Sequence, residues 1–347
     1  MATTIWSLIG AAMSQSGCAD VPVRVATEKF RGKEILRVIE VGDNAAALQS
    51  LHENQCDVLA GTPWMWARPE FFEAVDVLFV DEAGQMSLAD VVAISQAATS
   101  MILLGDPQQL NQPQRGVHPP GVDVSALAHL LDGRATIDPS LGLFLKETWR
   151  LHPAICIFTS EVFYDNRLTS RAENENQRLN AKDFLAGSGL RFIPVQHTGN
   201  QSESPEEVEK ITALVKDLLV SGSSWTTKTG ETLSLKPSDI LVVAPYNAQV
   251  SILSKALPAG VRVGTVDKFQ GQEAPIVFYS MTTSTPEDAP RGMEFLYSLN
   301  RLNVATSRAR CVAGVVASPA LFQVRCKTPR QIQLANALCR YFEMSSL

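Results

Sequence analysis

A chain of 347 residues, 45% of them hydrophobic and 19% charged, carries enough apolar material for two domain cores of ordinary size. A net charge of −6 excludes a surface that is basic overall, so any contact with nucleic-acid phosphates must come from a local groove of a few Lys and Arg residues. Six scattered cysteines (Cys18, Cys56, Cys156, Cys311, Cys326 and Cys339) with no Cys-x-x-Cys pair and no clustered His argue against a zinc or iron–sulfur centre and for a reducing, cytoplasmic compartment.

Nothing at the N-terminus has the basic start and long apolar run of a signal peptide or membrane span. Residues 4 to 16 read as a helix, with Ile5, Leu8, Ile9 and Met13 at near-helical spacing. Val21 to Val25 and Ile35 to Val41 read as short strands around a basic turn, Lys29 to Lys33. Asp43 to His52 is a helix with Asp43 or Asn44 available to cap it. Cys56 to Ala60 is a strand leading into Gly61-Thr62-Pro63-Trp64-Met65-Trp66. Val75 to Val80 is the central strand, and its continuous apolar run from Val77 to Val80 is the pattern of a strand buried on both faces of a parallel sheet. Leu88 to Ala97 is the helix returning to a strand at Met101 to Leu104. Strand, helix and strand in this order are the grammar of a doubly wound α/β sheet.

Pro113 to Val122 is a Gly- and Pro-rich loop, followed by helices at Val124 to Leu131 and Ala154 to Phe163. The polar stretch between Arg167 and Ser188 is where a domain boundary is expected, giving a first block over residues 1–170 and a second over 188–347. In the second block, strands are expected at Leu190 to Pro194, Ile240 to Ala244, Val261 to Thr265, Pro275 to Met281 and Cys311 to Ala317. Helices are expected at Pro205 to Val220, Ala248 to Leu257, Leu296 to Ser307 and Arg330 to Phe342. Pro205-Glu206-Glu207 is a favourable helix start, since the missing proline N–H costs nothing there and the acids favour the positive end of the dipole. Ser221 to Pro237 is a Ser/Thr/Gly-rich excursion without a pattern of its own.

The polar clusters fall at strand ends, where ligands bind in open parallel sheets. Asp81 and Glu82 follow the central strand. One carboxylate can hold Mg2+ while its neighbour orients or deprotonates an attacking water. Gly105-Asp106-Pro107-Gln108-Gln109 follows the next strand. Ala244-Pro245-Tyr246-Asn247-Ala248-Gln249, the segment Gly264 to Glu273, and the helix ending in Arg308 and Arg310 complete the set. Arg308 and Arg310 suit the negative end of a helix dipole. The planar guanidinium of Arg308 also suits phosphate oxygens.

Together these segments resemble the ordered motifs of superfamily 1 helicases, in the branch of the nonsense-decay and replication-nuclease helicases. The resemblance runs from about Val58 to Val316. Asp81-Glu82-Ala83-Gly84-Gln85 matches Walker B, and Gly105-Asp106-Pro107-Gln108-Gln109-Leu110 matches motif III. Trp149-Arg150-Leu151-His152-Pro153 resembles the segment that supplies the first arginine. Gly264 to Glu273 matches motif V, and Asn303-Val304-Ala305-Thr306-Ser307-Arg308-Ala309-Arg310 matches motif VI. The resemblance implies two RecA-like, P-loop-type parallel-sheet domains and an ATP- and Mg2+-dependent helicase moving 5′ to 3′ along a single strand; it does not separate DNA from RNA, and the bacterial style of the sequence makes DNA the expected strand.

It also implies roles. Asp81 would hold Mg2+ and Glu82 position the hydrolytic water. Gln109 would sense the γ-phosphate, which Arg150 and Arg308 would reach. Gly271 would approach the phosphate by its backbone and Glu273 bind the ribose. Thr62, Tyr246, Asn247 and Thr265 would face the nucleic acid, whereas His152 is expected to be a structural turn residue. Trp64 and Trp66 are read first as packing residues and second as base-stacking groups, the latter worth about 1–3 kcal/mol per base.

The family's Gly-x-x-x-x-Gly-Lys-[Ser/Thr] phosphate loop is absent from the sequence. At the nearest candidate, Gly32-Lys33, Glu34 follows and Thr27 stands where the first glycine belongs. The expectation is a helicase core truncated before its phosphate loop, with an upstream nuclease or N-terminal domain lying outside this chain. Such a core would bind ATP poorly and hydrolyse it negligibly, or serve as a non-catalytic module binding a single strand or a protein.

Overall fold

The computed structural model describes residues 24–27, 37–110, 124–269 and 271–345. The expected helix at 4–16, the basic turn at 29–33, the loop at 113–122 and the Gly32-Lys33 candidate lie outside them. The chain divides into two compact units. One comprises Met1–Pro107 and Asn111–Gly133, the other Gln108–Leu110 and Arg134–Leu347.

In the first unit, strands β1 (Arg24–Thr27), β2 (Arg37–Glu40) and β3 (Val58–Ala60) form a parallel sheet in the order β2-β1-β3. Helix α1 (Asn44–His52) connects β2 to β3, and the Asp43 side chain caps it by accepting from the Ala46 N–H. A single turn, α2 (Pro63–Trp66), follows β3. Strands β4 (Val75–Val80) and β5 (Ala98–Leu103) then pair in parallel, joined by α3 (Leu88–Ser95), which Ser87 caps. Helix α4 (Ala126–Leu131) closes the unit.

One expectation is corrected here. Strand β4 is not buried on both faces: Leu78 and Val80 are in the core, whereas Val77 and Phe79 are 40% and 49% exposed, as is Ile102 opposite Phe79 at 43%. Among the described residues β4 pairs only with β5, and Val77, Phe79 and Ile102 share its exposed face.

The second unit is built on five parallel strands in the order β13 (Arg262–Thr265), β12 (Ile240–Ala244), β14 (Ala274–Ser280), β15 (Ala309–Ala317) and β9 (Gly189–Pro194). Its two-residue strands β6 (Glu147–Thr148) and β7 (Thr169–Ser170) pair separately, flanking α5 (Pro153–Phe163). Next come β8 (Arg178–Asn180), β9 (Gly189–Pro194) and α6 (Pro205–Val220), which Ser204 caps. Strands β10 (Ser224–Thr226) and β11 (Thr232–Ser234) make an antiparallel hairpin beside β8. The alternation then runs β12 (Ile240–Ala244), α7 (Asn247–Ala256), β13 (Arg262–Thr265), β14 (Ala274–Ser280), α8 (Gly292–Leu296), α9 (Leu299–Ser307), β15 (Ala309–Ala317) and α10 (Pro329–Ser345).

Every residue of β12 and β14 is buried, as a central strand between two helix layers requires. One core face packs Leu241, Val243, Val277 and Ala313 against α5, α9 and α10. The other packs Val242, Ile276, Phe278 and Val312 with Ile211 and Val215 of α6. Residues 134–170 group with this unit, because Ile155, Phe158 and Phe163 of α5 share the first of these cores with Leu190 and Tyr341. No helix among the described residues is long and apolar enough to cross a membrane.

Candidate nucleotide and nucleic-acid site

In the first unit, the ends of β4 and β5 bring the two polar turns side by side. The Ala83 N–H donates to Leu104 O (2.8 Å) and the Leu104 N–H to Val80 O (2.8 Å). Asp81 accepts from the Glu82 N–H at 3.0 Å, and Glu82 takes a left-handed backbone at φ +54°. Gly84 is required by this contact: a Cβ there would stand 2.8 Å from the Asp106 carbonyl oxygen. Asp81 and Glu82 are half-buried at the strand ends. Thr62 is exposed ahead of α2, and Trp64 beside it is 85% exposed. Trp66 is a core residue, packed edge-on against Phe71 at 5.5 Å.

In the second unit, Glu273 is the hub. Arg150 Nε donates to its Oε2 at 2.6 Å, and Arg310 donates to its Oε1. A second nitrogen of Arg150 reaches Ser307 O at 3.3 Å. Burial works to raise the Glu273 carboxyl, but hydrogen bonds from Arg310 and Arg150 outweigh it and hold the group below the ordinary carboxylate value. Arg308, the residue ending α9, is 2% exposed and donates to the Gln109 side-chain oxygen at 2.8 Å. The Gln108–Leu110 segment is itself held on α9, where Asn303 donates to Gln108 O at 2.9 Å and Asn300 to Gln109 O. Of the residues singled out in the sequence, the fold therefore joins Arg150 to Glu273 and Gln109 to Arg308. Gly271 is exposed just before Glu273, in a left-handed conformation at φ +73°.

The residues expected to face nucleic acid in this unit lie at the carboxyl ends of β12 and β13, where Ala244 pairs with Thr265. Asn247 is exposed at the start of α7 and Thr265 is half-buried. Tyr246 is largely buried and its ring lies 5.5 Å from Phe295. Burial raises its phenol above the ordinary value. His152 caps α5, its Nδ1 accepting from the Ala154 N–H at 3.1 Å, which is the structural role expected of it.

Three features escape the sequence reading. Trp149, beside Arg150, is 62% exposed with the Arg171 guanidinium 3.6 Å from its ring centre. Arg310 sits in β15 and shares Glu273, although spacing places it only at a helix end. Glu207 is fully buried and accepts from Ser280 Oγ (2.5 Å) and the Thr282 N–H (2.9 Å), with His197 Nε2 at 3.1 Å. Burial raises its carboxyl above the usual range. The spacing Ser204-x-x-Glu207 signals a helix start, but nothing in it points to partners more than seventy residues away.

The family model described as an AAA domain matches residues 123–320. Putative helicase mov-10-B.1 of Danio rerio is 28% identical over 288 residues, 71% of this chain and 28% of that protein. The DNA polymerase alpha-associated DNA helicase A of Schizosaccharomyces pombe is 27% identical over 264 residues, 69% of this chain and 37% of its own length. The chain thus spans about a third of the length of these relatives. Among solved structures, arterivirus nonstructural protein 10 (helicase) aligns over 89% of this chain and 56% of its own at 14% identity, with a TM-score of 0.40.

Proposed function

The chain belongs to the AAA domain family, as a superfamily 1 helicase core, and from that premise we propose that it binds single-stranded nucleic acid and forms part of an ATP-driven translocase. The observation that carries this reading is the convergence in one unit of Arg150, Arg310 and Glu273, with Arg308 held on Gln109 beside them. Held on an amide oxygen, the Arg308 guanidinium is a group that a phosphate can recruit, since phosphate oxygens match the planar fork better than an amide does.

ATP with Mg2+ would supply a phosphoryl group whose transfer to water drives movement. The donor set fits the metal only in part. No group of three or more His, Cys, Asp or Glu side chains among the described residues could hold an ion alone. Asp81 would therefore hold Mg2+ as one ligand alongside nucleotide oxygens, the usual arrangement for this hard, water-retaining ion. Glu82 would orient the attacking water, Arg150 and Arg308 would neutralise charge on the terminal phosphate, and Gln109 would report its presence. Glu273 would accept from the ribose hydroxyls, and Gly271 offers a backbone N–H without side-chain hindrance. Thr62, Tyr246, Asn247 and Thr265 would line the strand path.

The sequence carries no Gly-x-x-x-x-Gly-Lys loop, which favours weak nucleotide binding and negligible turnover by this chain. The same observation favours a second reading, a module that holds a single strand without catalysis. Fluorescence anisotropy with matched fifteen-nucleotide DNA and RNA oligonucleotides, and a phosphate-release assay with the same strands, test both. We expect saturable binding with DNA preferred, a strong salt dependence, and release indistinguishable from background. Absence of binding to either strand overturns the translocase reading, and strong strand-stimulated turnover overturns the deficiency.

A further inference from the structure

Arg291 lies between β14 and α9, outside every motif named above. It is exposed, and its guanidinium makes no hydrogen bond or ion pair among the described residues. It stands instead over the Phe295 ring, 3.9 Å from the ring centre. Arg301, the third residue of α9, places its own guanidinium 4.4 Å from the same centre. The one carboxylate that Arg301 meets among the described residues is Asp267, whose Oδ2 accepts from Arg301 Nη1 at 3.4 Å and which is itself largely exposed.

This group adjoins the carboxyl ends of β12 and β13. Tyr246 follows β12 with its ring 5.5 Å from Phe295, and Asp267 comes just after β13 ends at Thr265. Burial raises the Tyr246 phenol, and the charges of Arg291 and Arg301 pull the other way. Two guanidiniums on one ring lie within a screening length of each other, about 8 Å at physiological salt. With one carboxylate between them they repel. A ring takes up the face of a guanidinium and leaves the N–H donors around its edge unspent, and those donors fork onto phosphate oxygens. An anion shared by the two removes the repulsion and uses both forks. In a chain of net charge −6, a strand contact needs a local cationic pair of this kind.

We propose that Arg291 and Arg301 form a clamp, built on Phe295, for one phosphodiester of a bound single strand. This rests on the reading of Tyr246, Asn247 and Thr265 as groups on the strand path. The phosphate takes N–H donors from both guanidiniums, and Asp267 keeps Arg301 in place when the strand leaves. The contact carries no base preference, because every nucleotide presents the same phosphate. It neutralises one phosphate and releases its counterions, so its signature lies in the salt dependence of binding.

Binding of fluorescently labelled fifteen-nucleotide oligo-dT and oligo-dA to the full chain, followed by anisotropy between about 50 and 200 mM salt, tests this. Arg291→Met removes the charge and keeps the stem at an exposed position. Arg330→Met does the same at the start of α10, outside the clamp, and serves as the net-charge control. We expect Arg291→Met to weaken both strands alike, about tenfold at the low-salt end. The plot of log affinity against log salt should flatten by about 0.7, the value for one phosphate of a single strand. Arg291→Lys should restore the slope, and Arg330→Met should keep the parent's. A slope in Arg291→Met equal to the parent's overturns the proposal. So does an equal flattening in Arg330→Met, which makes the effect one of net charge, and so does a loss confined to one strand, which makes Arg291 a base contact. A parent chain that binds neither strand overturns the strand reading beneath the proposal, and the clamp with it.

Discussion

Glu273 shows how single residues in this molecule take their properties from partners distant in sequence. It lies 123 positions from Arg150 and 37 from Arg310, and their guanidiniums keep it ionised against the cost of burial. Because its folded value is depressed, the unfolded chain binds the proton more readily as pH falls through the ordinary Glu value of about 4.3. The pairing therefore contributes full stability above that value and loses it as pH falls through the lower, folded value. We expect Glu273→Gln to flatten the acid side of the stability profile, measured as the urea midpoint between about pH 5 and pH 3. A variant whose profile parallels the parent's over that range would show that the pairing contributes nothing. The adjacency of Arg150 and Glu273 was written in no local pattern, although the residue types at each position were.

Elements were legible where their periodicity and boundaries coincide. Strands β12, β14 and β15 and helix α6 read directly from apolar runs and from Pro205-Glu206-Glu207. The helix expected at Leu296 to Ser307 begins at Leu299 instead, because Ser298 caps it by accepting from the Arg301 N–H and α8 ends at Leu296. The Ser221–Pro237 hairpin was illegible, since its strands are three residues long and polar, and pairing with β8 decides them. At the paired turns of the first unit, the close approach of Gly84 to Asp106 O sets the geometry of Asp81 and Glu82. Gly84→Ala should force the turns apart at a cost of about 1–3 kcal/mol, the usual range for overpacking a tight site. Urea denaturation checks this, and an unchanged midpoint would mean the turns give way freely.

At the scale of the molecule, each unit has a core of its own: Leu78, Val80, Trp66 and Phe71 pack in the first, and two further clusters pack in the second. Each unit should lose its structure in its own step. Urea unfolding followed by circular dichroism should show two transitions, the smaller belonging to the first unit, and one coincident transition by every probe would contradict it. The sequence alone determined the alternation of strands and helices, the placing of polar clusters at strand ends and the family they resemble, because those depend on residue type and on spacing within a few turns of chain. Only the tertiary structure decided that Val77 and Phe79 stay exposed, that Glu273 serves two arginines, and that a polar hairpin ends beside Trp149. Burial and pairing are properties of neighbours in space, and the chain brings those neighbours from dozens to more than a hundred residues away.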